Sequence, residues 1–155
     1  MEKWIRALYQ PNLPMGENGE KVTGSEKHIT LAKDAAKEGM VLLKNERRLL
    51  PFSKGTRVAL FGKGTMDYVK GGGGDVTVAY VRNLYEGLKM QNGHVAVFEP
   101  LCDFYKKDVA EQYAKGKEPG MTTEPEVPKE LLTQAKAYTD TAVISICRFS
   151  GEGWD

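Results

Sequence analysis

Apolar residues along this chain fall into blocks with two different spacings: the 3.6-residue period of a helix buried on one face, and the continuous runs of a buried strand. Trp4, Ile5, Leu8 and Tyr9 outline a short helix, after which the chain turns rich in Pro, Gly, Asn and Glu, so residues 1–27 read as an N-terminal arm. From His28, HITLAKDAAKEGM brings Leu31, Ala35 and Ala36 together on a helix of about three turns, entered at Ser25 or Thr30 and weakened at Gly39. MVLLKN is a short apolar run, and RVALFG predicts a strand over 57–61. Beyond a Gly-rich crossing, Val81, Leu84, Tyr85 and Leu88 share a helical face, giving a helix over 78–90. HVAVF, 94–98, is the next strand, and DFYKKDVAEQYAKGK a helix with Phe104, Val109 and Tyr113 on its apolar side, fraying at Gly116. EPGMTTEPEVP reads as a linker or irregular loop, Pro128 opens the helix PKELLTQAKAY, and TAVISIC, 141–147, is the most strand-like run of all.

Alternating strands and helices imply an α/β fold with a mostly parallel sheet. VALF and AVISIC are almost continuously apolar and offer no polar side to solvent, so helices are expected on both faces, a three-layer α/β sandwich. The chain stops at Asp155 directly after a strand and a polar loop, where such a sheet normally continues. The sandwich is therefore expected to be partial, with residues 28–155 forming an incomplete domain of a longer protein.

Composition narrows the function classes. The 155 residues carry 22 basic and 21 acidic side chains for a net charge of +1, so no general field draws the chain to nucleic acid or an acidic membrane surface. Only Cys102 and Cys147 carry thiols and only His28 and His94 imidazoles, with no zinc spacing among them. Cys147, inside an apolar run, is expected to be a buried reduced thiol. The opening MEKWIRALYQPNLPMGENGE has no apolar core of signal-peptide length, and no run elsewhere approaches the ~20 residues that cross a bilayer; the expectation is a cytoplasmic protein without a membrane partner or bound cofactor.

Two glycine loops invite nucleotide readings and fail them. GKG after RVALF starts the dinucleotide fingerprint at Gly62 and Gly64, but Asp67 stands where the third glycine should be and its carboxylate would repel phosphate. The Walker pattern fails as well, with Arg57 at its first glycine and Gly64 at its Ser/Thr position. Gly71–Gly74 followed by Asp75 is costly in chain entropy. It is either a packed surface crossover or a wall of a site, with Asp75 fixing the loop by hydrogen bonds.

RFSGEGWD, 148–155, follows the last strand and therefore lies at the carboxyl end of a parallel sheet, where clefts form. Glu152 between two glycines can reach a glycosidic oxygen and, with a raised pKa, protonate a leaving group. Arg148 can orient the loop or a ligand, Asp155 can order the loop, and Trp154 can stack on a sugar face; solvated charges and ordinary aromatic packing are the competing readings.

DAAKEGMVLLKNERRLLPF (34–52), VALFGKG (58–64), YVKGGGGDV (68–76), VRNLYEGLK (81–89) and ISICRFSGEGWD (144–155) together resemble glycoside hydrolase family 3. The resemblance covers about residues 28–155 and is to the opening part of the family's α/β sandwich domain, in the β-glucosidases that place it before the TIM barrel. It implies a retaining hydrolase of terminal β-D-glucosides or related oligosaccharides, with an Asp nucleophile supplied by a downstream barrel. Its R-x-S-G-E pattern falls on Arg148, Ser150, Gly151 and Glu152, making Glu152 the general acid/base. Lys44, Asn45 and Lys70 match recurrent segments and are read as architectural. The shorter KGGGGDV departs from the longer Ser- or Thr-containing loop of the group. The alternative is a noncatalytic carbohydrate-binding or protein-interaction domain.

Overall fold

The computed structural model describes residues 25–67, 80–118 and 120–147, which fall into two units divided between Arg48 and Leu49. In the first unit, α1 spans Glu26–Glu38. Ser25 caps it by accepting from the His28 amide at 3.5 Å, a long bond, and the Gly39 amide donates to the Ala35 carbonyl at the other end. None of its residues is buried, and the apolar run that follows, Met40 to Leu43, is exposed throughout, Leu43 to 91%. A single 3₁₀ turn, Glu46–Arg48, closes the unit.

The second unit is an α/β fold around a three-stranded parallel sheet in the order β2-β1-β3. β1 is Thr56–Phe61, β2 is Val95–Val97 and β3 is Ala142–Ile144. Thr56 pairs with Val95 and Val58 with Val97 on one side; Ala59 pairs with Ala142 and Phe61 with Ile144 on the other. Between them lie α2 (Leu84–Lys89), α3 (Glu99–Ala114) and α4 (Lys129–Tyr138).

The central strand shows why this sequence makes this sheet. Val58 and Leu60 point to one face and pack with Val95, Val97 and Cys102, covered by Tyr85 and Leu88 of α2. Ala59 and Phe61 point to the other, against Leu101 and Tyr105 of α3 and Leu131, Ala135 and Tyr138 of α4. With both faces covered, an alternating pattern would leave polar groups stranded, which is why β1 is apolar without a break from Val58 to Phe61. Full burial of Val58 and Leu60 contributes about 1.5–3 kcal/mol each.

Several expectations need correction. The helix expected over 78–90 covers only Leu84–Lys89 among the described residues, because Asn83 stops it from extending backwards. The Asn83 side chain accepts from the Glu86 amide at 2.8 Å while Glu86 accepts from the Asn83 amide at 3.3 Å, a reciprocal capping box. The next helix starts four residues earlier than its apolar pattern indicates, since Pro100 sits in the first turn, where its missing N–H costs nothing. Its buried side is Leu101, Cys102, Tyr105 and Val109, with Phe104 only partly buried.

β3 is shorter than 141–147, and its Ala142/Ile144 side is not covered by the described residues; Ile144 is 70% exposed and Ile146 beyond it 83%. Both cysteines are free thiols, but the buried one is Cys102, with Cys147 only half-buried. Burial raises the Cys102 thiol to about 12, with the nearby Glu99 carboxylate pushing the same way. No helix of the described residues is long and apolar enough to cross a membrane.

Candidate functional site

Strand order fixes where a site can form. β1 is central, the chain leaves it to build β2 on one side, then crosses back to build β3 on the other. The segments leaving the carboxyl ends of β1 and β3 therefore start side by side at a topological switch point, the place where open α/β sheets make their clefts.

After β1 the chain runs through Gly62 into a 3₁₀ turn, Lys63–Thr65, and on to Asp67. After β3 it runs through Ser145, whose amide donates to the Phe61 carbonyl at 2.9 Å and so carries the pairing one step past the strand. The two exits touch, backbone against backbone at Gly62 and backbone against side chain at Gly64. A Cβ at Gly62 would lie 2.1 Å from the Ser145 carbonyl oxygen, and one at Gly64 would lie 2.7 Å from Ser145 Oγ and 3.1 Å from Cys147 Cβ. Gly62 also has φ of +94°, a region that residues with an L side chain adopt rarely and under strain. The GKG glycines thus permit one loop to lie against another.

Lys63 points away from that contact. It is 6% exposed, and its ammonium donates to the carbonyl of Thr122 and, at 2.5 Å, to Thr122 Oγ1. The Thr122 hydroxyl donates in turn to Asp67 Oδ2 at 2.9 Å, and Tyr113 Oη of α3 donates to Asp67 Oδ1 at 2.7 Å. The Lys63 amide donates to the Glu124 carboxylate at 2.9 and 3.2 Å. Gln112 of α3 holds the neighbouring Thr123, accepting from its amide at 2.8 Å and donating to its carbonyl at 2.9 Å. Burial, reinforced by the bond to Asp67 and its charge, raises the Tyr113 phenol to about 12. Burial also raises Tyr105, against the Gly62 amide and with the Glu124 carboxylate adding to it.

This cluster was not legible in the sequence. TTE at 122–124 sits in a segment that reads as a linker, and Lys63 meets it from about sixty residues away, a separation no local pattern encodes. Asp67 drew notice only as the residue that breaks a nucleotide fingerprint; its carboxylate instead collects two hydroxyl donors.

The site residues expected from sequence, Glu152 with Arg148, Ser150, Trp154 and Asp155, lie outside the described residues, as does Asp75. What the structure places is the stem that leads into RFSGEGWD, Ser145–Cys147, and the segment that precedes the glycine loop, Gly62–Asp67; these are in contact. Among the described residues no group of three or more His, Cys, Asp or Glu side chains is arranged to hold a metal ion. A separate open groove beside α4, lined by Phe61, Ala135, Lys136, Asp140 and Ala142, carries the entry into β3 and not its exit.

Comparison with known proteins gives this geometry a context. The family model described as the glycosyl hydrolase family 3 C-terminal domain matches residues 40–155. Beta-glucosidase A of Butyrivibrio fibrisolvens is 61% identical over 157 aligned residues, covering 100% of this chain and 19% of that protein. A beta-glucosidase of Ruminococcus albus is 34% identical over 136 residues, 83% of this chain and 14% of its own length. Among solved structures, beta-glucosidase 3B from Thermotoga neapolitana in complex with α-D-glucose superposes with a TM-score of 0.69 at 34% identity, over 88% of this chain and 20% of that one. A beta-glucosidase from Paenibacillus barengoltzii gives 0.68 at 33%, over 81% and 14%. The chain thus spans a fifth or less of the length of these relatives.

Proposed function

The chain belongs to glycoside hydrolase family 3, as part of a β-glucosidase-like C-terminal domain, and from that membership we propose that the whole protein is a retaining β-glucosidase to which this part supplies the general acid/base, Glu152. The observation that carries the reading is the 61% identity to a beta-glucosidase along the whole of this chain, the R-x-S-G-E segment included in its span. Supporting it, the stem of that segment leaves the carboxyl end of β3 at the switch point of the sheet, against the exit of β1.

The chemistry assigns each group a task. In the first step a carboxylate nucleophile attacks C1 of the glucoside while the Glu152 carboxyl passes its proton to the glycosidic oxygen, so the leaving group departs as a neutral alcohol. In the second step the Glu152 carboxylate removes a proton from water as it attacks C1 of the glycosyl-enzyme, releasing glucose with its configuration retained. The two carboxyl groups must stand about 5–5.5 Å apart for this. The nucleophile is an Asp of a TIM-barrel domain downstream of this chain, so the acid arrives from one domain and the nucleophile from another. Arg148 and Ser150 orient the acid loop, Trp154 offers a face to a sugar ring, and Asp155 and Asp75 order their loops. The substrates are terminal β-D-glucosides or related oligosaccharides.

In the whole protein, Glu152→Gln tests the assignment. Hydrolysis of a phenyl β-glucoside, whose leaving group needs a proton, falls by about 10²–10⁴, and hydrolysis of a 2,4-dinitrophenyl β-glucoside, whose leaving group does not, falls far less in kcat/KM. Equal rates for wild type and variant on both substrates overturn the Glu152 assignment.

A further inference from the structure

Lysine is almost never fully buried unless its charge is partnered, because desolvating an ammonium costs several kcal/mol. Lys63 is nonetheless buried, between two glycines, in a chain with ample exposed surface for cations. Its environment explains what that arrangement achieves. The Thr122 hydroxyl has one proton; since it accepts from Lys63 and donates to Asp67, the chain of bonds runs one way, from ammonium to hydroxyl to carboxylate, and Tyr113 closes it from α3. An apolar side chain of the same size would fill the space without fixing a direction. The backbone amide of the same residue is held by Glu124, so Lys63 is gripped at both ends by the 122–124 segment. On either side of it, Gly62 and Gly64 press against Ser145 and Cys147.

The geometry points to Lys63 as a positioning residue for the general acid/base: with Thr122, Asp67 and Tyr113 it forms a brace that holds the β1 exit against the Ser145–Cys147 stem, and so sets where the Glu152 loop begins. This rests on the reading of Glu152 given above. Gly62 meets the Ser145 backbone with no side chain between them, and Gly64 packs on Ser145 Oγ and Cys147 Cβ, so at Gly62 there is no compressible layer between brace and stem. A shift of Lys63 by a fraction of an ångström is passed on as backbone displacement rather than absorbed by a rotamer, and displacements of about 1 Å at a reacting group cost up to about 10²-fold in rate.

The test compares Lys63→Met, Thr122→Val and Tyr113→Phe in the whole protein, each beside Glu152→Gln and with thermal unfolding recorded. Thr122→Val and Tyr113→Phe preserve shape and keep the question open to measurement if Lys63→Met does not fold. The expected result is a leaving-group-dependent loss: kcat/KM on a phenyl β-glucoside falls about 10–100-fold for Lys63→Met, less for the other two, while the 2,4-dinitrophenyl β-glucoside value changes by less than about threefold. A merely structural role lowers both substrates by one common factor. That outcome, or no loss in any folded variant, overturns the brace while Glu152→Gln still shows its selective defect. A wild-type protein that hydrolyses neither substrate, or a Glu152→Gln variant without selectivity, overturns the acid/base reading and this inference with it.

Discussion

Replacing Gly62 by Ala measures how tightly the two strand exits meet. Two costs add. The residue sits at φ +94° and ψ +132°, where a Cβ brings about 1–3 kcal/mol of backbone strain. The new methyl would also stand 2.1 Å from the Ser145 carbonyl oxygen, more than an ångström inside contact distance, and the obstacle is backbone, which cannot rotate away. Relieving it pulls Ser145 from Phe61 and gives up their 2.9 Å hydrogen bond, about 1 kcal/mol net. The total is about 2–4 kcal/mol, a large share of the 5–15 kcal/mol that holds a domain folded, and lowers Tm by about 4–16 °C. Gly55→Ala is the control, since Gly55 has φ +84° but nothing within 4 Å of an added Cβ, so it incurs strain alone. Thermal and urea unfolding followed by far-ultraviolet circular dichroism should place Gly62→Ala below Gly55→Ala by at least about 1 kcal/mol. Two variants of equal stability would refute the close packing of the exits and, with it, the rigid transmission on which the role of Lys63 depends.

Asn83→Ala removes the capping box of α2 and the Asn83 bond to the Met66 carbonyl, and is expected to cost about 1–2 kcal/mol in urea unfolding, with Asn83→Asp recovering the cap but not the donor to Met66. Native protein should react with a thiol reagent at pH 8 at Cys147 alone; Cys102, pushed up to about 12 by burial, should react only after unfolding, and mass mapping of the labelled peptides decides it. Glu99 is held below the usual Glu range: partial burial works against this, but hydrogen bonds from Lys89 and Tyr85 and the charges of Lys89 and Lys106 outweigh it. A depressed folded-state pKa makes its contribution present above the unfolded value near 4.5 and lost as pH falls through the folded one, so Glu99→Gln should flatten stability against pH only below about 4.5.

The sheet was readable wherever a strand is covered by neighbours on both sides. VALF announces itself because β1 is covered on both faces and VAV because Val95 and Val97 are buried on one, and the order of elements then implies parallel pairing. Errors arose where position mattered more than composition. Pro100 looks like a barrier to a helix but lies in its first turn, where no N–H is required, and Asn83 with Glu86 is a local stop signal hidden inside an otherwise periodic stretch. TAVISIC reads as a buried strand, yet Ile144 and Ile146 are exposed among the described residues, as is the short apolar run Met40 to Leu43: hydrophobicity states a preference for burial and does not name the surface that provides it. For the site, Glu152 could be singled out because a motif is contiguous. The Lys63–Thr122–Asp67–Tyr113 chain joins four separate stretches and has no linear trace.

Placing the first strand at the centre of the sheet has a consequence for how the chain folds. The Thr139 hydroxyl, just ahead of β3, donates to the carbonyl of Arg57, 82 residues earlier, so one side of β1 has no partner until almost all of this segment exists. At a synthesis rate of about 5–20 residues per second, β1 waits on the order of 4–16 s with one edge unpaired, and for most of that time its Ala59/Phe61 face also lacks Ala135 and Tyr138 of α4. Pairings so distant in sequence are slow to form even in a finished chain, because the intervening loop must close before any contact rewards it. Arrival of β3 is therefore the last step in pairing these three strands, and until then the open edge of β1 is a surface on which another strand can pair.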